Sequence, residues 1–150
     1  MKIITQNKKA FFDYEVLDRI EAGLVLTGDE VKSLRAGNVN LVGSFAVLQG
    51  SELVMINCYI GPYSHAYDKK SEDAARRTRK LLVHRRELDK IAGDISRKGI
   101  TIVPLKLYFN DKNFVKVELG LCKHKKAHQR KEEIRERDIK RETRRELKGG

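Results

Sequence analysis

Residues 44 to 60 constrain the fold more tightly than any other stretch. Ser44-Phe45-Ala46-Val47-Leu48 and Glu52-Leu53-Val54-Met55-Ile56-Asn57-Cys58-Tyr59-Ile60 are β-branched and aromatic runs with one glycine-containing turn, at Gly50, between them. Side chains of this kind fill a pleated surface and a short glycine turn reverses it, so the stretch predicts an antiparallel hairpin. Gly61-Pro62 ends the run.

Similar runs lie on both sides. Tyr14 to Leu26 reads as two strands around a turn at or near Gly23. Ile100 to Phe109 and Phe114 to Leu121 read as two more, with Asn110-Asp111-Lys112-Asn113 as their turn. Pro104 has no ladder donor, so the first of these is an edge strand or a bulged one. Two helices interrupt the strands. In Thr27-Gly28-Asp29-Glu30-Val31-Lys32-Ser33-Leu34-Arg35-Ala36-Gly37, Thr27 and Glu30 have capping-box spacing and Gly37 suits a left-handed stop. Only Val31 and Leu34 need burial there, which directs Glu30, Lys32 and Arg35 outward, either for recognition or as a solvated, ion-paired face. The second helix, about Arg85 to Arg97, places Leu88, Ile91, Ala92 and Ile95 at helical spacing as a core face and closes at Gly99. Residues 63 to 75 have no sustained period and are expected to form a loop. Short antiparallel strands with inserted helices predict a mainly β fold, a small closed or partly open barrel of the oligonucleotide-binding type.

Charge points to the partner. The formal net charge is +11 over 150 residues, which suits a polyanion: nucleic acid first, anionic membrane second. No run approaches the ~18 apolar residues of a membrane span, and Met1 to Phe12 lacks the apolar core of a signal peptide. A soluble cytoplasmic monomer is expected. Residues 122–150 hold twelve Lys+Arg against six Asp+Glu, a net of +6 for a fifth of the chain. Ile134, Ile139 and Leu147 form no apolar stripe there, while Glu133/Arg137 and Glu136/Lys140 are favourable four-residue pairs. The division expected is therefore a barrel over 1–121 and a basic tail over 122–150, disordered when free. The tail either becomes helical on RNA or only solubilises.

Signs of catalysis are missing from the sequence. It has no glycine-rich phosphate loop, nucleophile elbow or zinc-ligand spacing, and Cys58 and Cys122 are isolated, as reduced thiols would be. His124 and His128 are four apart but stand among Lys123, Lys125, Lys126 and Arg130, which favours RNA over a metal ion. No cofactor is expected, and a non-enzymatic RNA binder is favoured over a ribosome-associated nuclease or a structural ribosomal protein.

Several motifs occur in one order: Asn7-Lys8-Lys9-Ala10, Glu21-Ala22-Gly23, Gly28-x-Glu30-Val31-Lys32-Ser33-Leu34-Arg35-Ala36-Gly37, Arg77-Thr78-Arg79-Lys80-Leu81-Leu82, Pro104-Leu105-Lys106-Leu107-Tyr108 and Val115-Lys116-Val117-Glu118-Leu119-Gly120-Leu121. Together, from about Asn7 to Arg145, they resemble the small protein B (SmpB) family. The resemblance implies an oligonucleotide-binding-type barrel that binds the tRNA-like part of transfer-messenger RNA (tmRNA). It also implies a tail that enters the ribosomal decoding centre and messenger channel during rescue of stalled ribosomes. Carried over, Asn7, Lys8, Glu30, Arg35, Arg77, Arg79, Lys80, Lys123, Lys125 and Lys126 become RNA contacts. Glu30 would accept hydrogen bonds from base edges or 2′-hydroxyls, or orient Arg35. His128, Gln129, Arg130, Lys131 and Glu132 become the decoding-centre segment. Two departures stand out. The family usually has Gly-Lys-Lys where this chain has His124-Lys125-Lys126, so a glycine conformation is either unnecessary here or accommodated differently. It has His or Tyr followed by Asp-Lys-Arg-Glu where this chain has His128-Gln129-Arg130-Lys131-Glu132, which removes a carboxylate but keeps an aromatic able to stack on a base.

Overall fold

The computed structural model describes residues 1–63 and 72–125. Strand β1 (Lys2–Gln6) leads into helix α1 (Lys8–Asp13), and β2 (Tyr14–Leu24) into α2 (Gly28–Arg35). Next come β3 (Val39–Asn40), β4 (Phe45–Gln49), β5 (Glu52–Ile56), β6 (Tyr59–Ile60), the short α3 (Glu72–Ala75) and β7 (Arg79–Leu82). Helix α4 (Arg85–Lys98), β8 (Thr101–Phe109) and β9 (Val115–His124) follow.

The expected hairpin is β4–β5, paired from Phe45↔Ile56 to Gln49↔Glu52 around Gly50, whose φ is +63°. Antiparallel pairing then runs β4–β5–β7–β2–β9–β8 and returns from β8 to β4 through Ala46↔Ile102, closing a ring of six strands. Closure leaves fewer open edges, and alternation sends one set of side chains inward. Ile20, Ala22 and Leu24 of β2 meet Val115, Val117, Leu119 and Leu121 of β9 in that core, with Ile91 of α4 fully buried against it.

Two expectations need correction, and the choice left open at Pro104 is decided. Tyr14 to Leu24 is one strand, not two, because Gly23 stays in the ladder between Leu82 and Lys116 instead of turning. Residues 72–75 of the expected loop are helical, and residues 64–71 lie outside the described residues. Pro104 marks a bulge on a strand that is not an edge: the β8–β9 register shifts between Pro104 and Lys106. On its other side β8 exchanges β4 for β1, and Asn7 fills the junction. The Asn7 backbone N–H donates to the Leu105 carbonyl at 2.8 Å, and its Nδ2 donates to the Pro104 carbonyl at 3.1 Å. Its Oδ1 accepts from the Ala10 N–H as the cap of α1. The residue missing a donor therefore sits where the ladder changes partner. Composition shifts after Leu121, but that point falls inside β9, which continues through His124.

Candidate nucleic-acid interface

Helix α2 starts as its sequence requires. Thr27 Oγ1 accepts from the Glu30 N–H at 3.3 Å, and Glu30 Oε1 accepts from the Thr27 N–H at 3.0 Å. Lys32 and Arg35 point outward, the ammonium lying 5.3 Å over the Tyr63 ring and the guanidinium 5.7 Å over Phe109. Glu30 does not. It is 2% exposed and faces inward to two arginines. Arg77 grips it with a two-pronged fork, Nη2 on Oε1 and Nε on Oε2, and Arg79 Nε donates to Oε2 at 2.6 Å. Arg79, wholly buried, also donates to the carbonyls of Cys58, Arg77 and Ala75. A buried guanidinium needs this density of acceptors, since desolvation of an unpaired charge costs several kcal/mol. Burial alone would raise the Glu30 pKa, but the Arg77 hydrogen bond, the Thr27 N–H and Arg79 outweigh it and hold the carboxyl down to about 2. The hub ties the start of α2 to β7 and to the backbone at Cys58. Glu30 thus orients Arg77 and Arg79 rather than Arg35.

The other residues singled out from sequence divide by exposure. Lys8, Arg35, Lys80 and Lys123 are exposed, and Lys125 is half-buried. Arg77 shows 39% of its side chain, while Asn7 and Arg79 are structural in this conformation. Arg79 faces inward because it shares strand parity with buried Leu81, whereas Lys80 and Leu82 face out. Lys126, His128, Gln129, Arg130, Lys131 and Glu132 lie outside the described residues. Cys58 and Cys122 are free and buried, and burial pushes both thiols up to about 11.

A feature not read from the sequence lies on the outer wall where β7, β2 and β9 run side by side. Gly23 pairs with Leu82 on one strand and Lys116 on the other. A Cβ at Gly23 would lie 3.4 Å from Leu82 Cβ and 3.8 Å from Lys116 Nζ, so the missing side chain leaves a shallow notch. Around it Leu82 is 54% exposed, Val25 46% and Phe114 62%. Lys80, whose carbonyl accepts from the Val25 N–H, turns its ammonium the other way, to Glu52 of β5 at 3.2 Å, which leaves Lys116 as the cation beside the notch. An exposed aromatic and aliphatic surface beside a lysine suits an unstacked base with its phosphate. The only signal for it in sequence was an apolar residue in excess of what a half-buried strand needs: Leu82 after Leu81, and Phe114 beside a turn.

The opposite end of the same strands is also cationic. β2 and β9 are antiparallel over about ten residues, which at ~3.3 Å per residue separates their ends by roughly 30 Å. The far end carries Tyr14, His124, Lys123 and Lys125, with Lys8 on the neighbouring α1. His124 has no positive φ, so the backbone at this position does not call for glycine.

A closed antiparallel ring with an exposed apolar patch beside Lys116 and a second cationic end has the architecture of small nucleic-acid-binding β folds. The family model for SmpB protein matches residues 4–149. Curated relatives include the SsrA-binding protein of Caulobacter vibrioides, 48% identical over 148 residues, covering 99% of this chain and 96% of the relative. That of Rickettsia africae is 50% identical over 141 residues, covering 94% and 91%. A chain in a solved structure described as "tmRNA-SmpB: a journey to the center of the bacterial ribosome" superposes with a TM-score of 0.67 at 48% identity, over 82% of this chain and 85% of that one. The chain belongs to the SmpB family.

Proposed function

We propose that this protein binds tmRNA and brings it to stalled ribosomes in trans-translation, as an adaptor that performs no chemistry of its own and works in the cytoplasm. The observation that carries this reading is the two-ended barrel. An RNA-binding notch at Gly23, Leu82, Phe114 and Lys116 lies about 30 Å from a second basic end that leads into the tail. One end takes the tRNA-like part of the rescue RNA and the other faces the ribosome. The SsrA-binding relatives and the tmRNA complex of the structural neighbour support tmRNA and the ribosome as the partners. Lys8, Arg35, Arg77, Lys80, Lys123, Lys125 and Lys126 act as cationic contacts, and His128 to Glu132 as the decoding-centre segment. Asn7, Glu30 and Arg79 serve the interface by holding α1, α2 and β7 in place.

Purification of the tagged protein from cells is expected to bring tmRNA with it in excess over other small RNAs. Affinity for that RNA is expected to fall on the order of a hundredfold between 50 and 200 mM salt if about four condensed cations are displaced. Affinity that is flat with salt, or sustained RNA cleavage by the pure protein, would overturn the adaptor reading.

A further inference from the structure

We infer that Tyr14, His124 and Lys125 form a clamp that fixes the direction in which the chain leaves the barrel for its basic tail. The proposal rests on the adaptor reading above. Tyr14 and His124 are register partners at the last pair of β2 and β9, and their rings meet at a centroid distance of 4.5 Å, tilted by 41°. One residue later the Lys125 N–H donates to the Asp13 carbonyl at 3.0 Å, continuing the ladder past the strand. Lys125 Nζ donates to the Phe11 carbonyl at 2.8 Å, near the C-terminal end of α1, where a cation is favoured. Three contacts from three groups thus seize two consecutive residues at the barrel's exit. α1 is itself anchored through Asn7 to β8, so the grip is referred to the core.

A basic segment that must enter a defined channel gains from a fixed point of departure, because each residue left loose at its root adds orientations to be lost on docking. A residue without a ring at position 124 would offer Tyr14 no partner. The histidine of this chain therefore adds a stack to a strand end whose backbone does not require glycine. Tyr14 and His124 are positioning residues here, acting on the tail through its root.

The test compares full-length Tyr14→Ala and Tyr14→Phe with the unaltered chain, following amide exchange at Lys125, tmRNA affinity and tagging of stalled chains. Tyr14→Ala is expected to speed exchange at the Lys125 amide about fivefold, the factor corresponding to loss of one aromatic pair. Tagging should fall by at least that factor while RNA affinity stays within about twofold, and Tyr14→Phe should restore exchange and tagging together. A second variant with two glycines inserted between Lys125 and Lys126 leaves the clamp intact but displaces the tail's root, so it should keep Lys125 protected and still lose tagging. Unchanged exchange in Tyr14→Ala, or full tagging by either Tyr14→Ala or the insertion, would overturn the clamp. Failure of the unaltered protein to bind tmRNA or support tagging would instead count against the adaptor reading, and the Lys125 exchange rates would still decide whether the clamp exists.

Discussion

Glu30→Gln is expected to lower the stability of the barrel by about 3–5 kcal/mol and its melting temperature by roughly 10–20 °C. Glutamine keeps an oxygen for the Thr27 N–H, so the helix cap survives in part and the loss isolates the charge. What remains is Arg79, wholly buried and without its anion, and Arg77 without the carboxylate that holds its fork. The pH dependence has a definite sign. The Glu30 carboxyl titrates near 4.5 when unfolded and near 2 when folded, so its contribution is complete above about pH 4.5 and fades as pH falls toward 2. At 1.36 kcal/mol per unit this amounts to on the order of 3 kcal/mol. Denaturant titrations of both proteins at neutral pH and near pH 3 should show the gap between them narrowing in acid. A gap below about 1 kcal/mol at neutral pH would mean that the hub does not hold the body together.

Phe114→Ala and Leu82→Ala, alone or combined, are expected to leave the fold intact and weaken tmRNA binding. Both side chains are more than half exposed, so each change should cost within about 0.5 kcal/mol of stability. Loss of a stacking surface should reduce affinity by about 1–3 kcal/mol, roughly 5- to 150-fold, in equilibrium binding at fixed salt. Lys116→Ala should reduce the slope of log affinity against log salt by about 1 instead, since it removes one phosphate contact. Affinity unchanged in the double Phe114, Leu82 variant would move the interface off this wall.

Much of this molecule is legible in its sequence where the determining chemistry is local. The β4–β5 hairpin follows from one glycine between two β-branched runs, and the α2 cap from Thr27 and Glu30 three residues apart. The capping carboxylate's second role was hidden because its partners, Arg77 and Arg79, come 47 and 49 residues later and reach it only when β7 joins the ring. A charge on a short helix reads as outward unless such partners are known. Gly23 reads as a turn for a similar reason. Its use as a gap in a continuous strand depends on Leu82 and Lys116, brought alongside by two other strands. The inward direction of Arg79 was available from its parity with Leu81, against the general expectation that arginine faces water. The basic tail is written in composition alone, and composition gives its partner's charge but no geometry.

A chain ending at Ala127 tests most directly the claim that one part of this protein holds the rescue RNA while another admits it to the ribosome. The truncation removes His128 to Gly150 and leaves the ring, the Glu30 hub, the notch and Lys123 to Lys126 in place. It should melt within a few degrees of the full-length protein, about the spread of a surface change. It should also bind tmRNA within about twofold, yet fail to support tagging of the stalled chain. Tagging at the full-length rate by the shortened protein, or loss of its tmRNA binding, would contradict this division of labour.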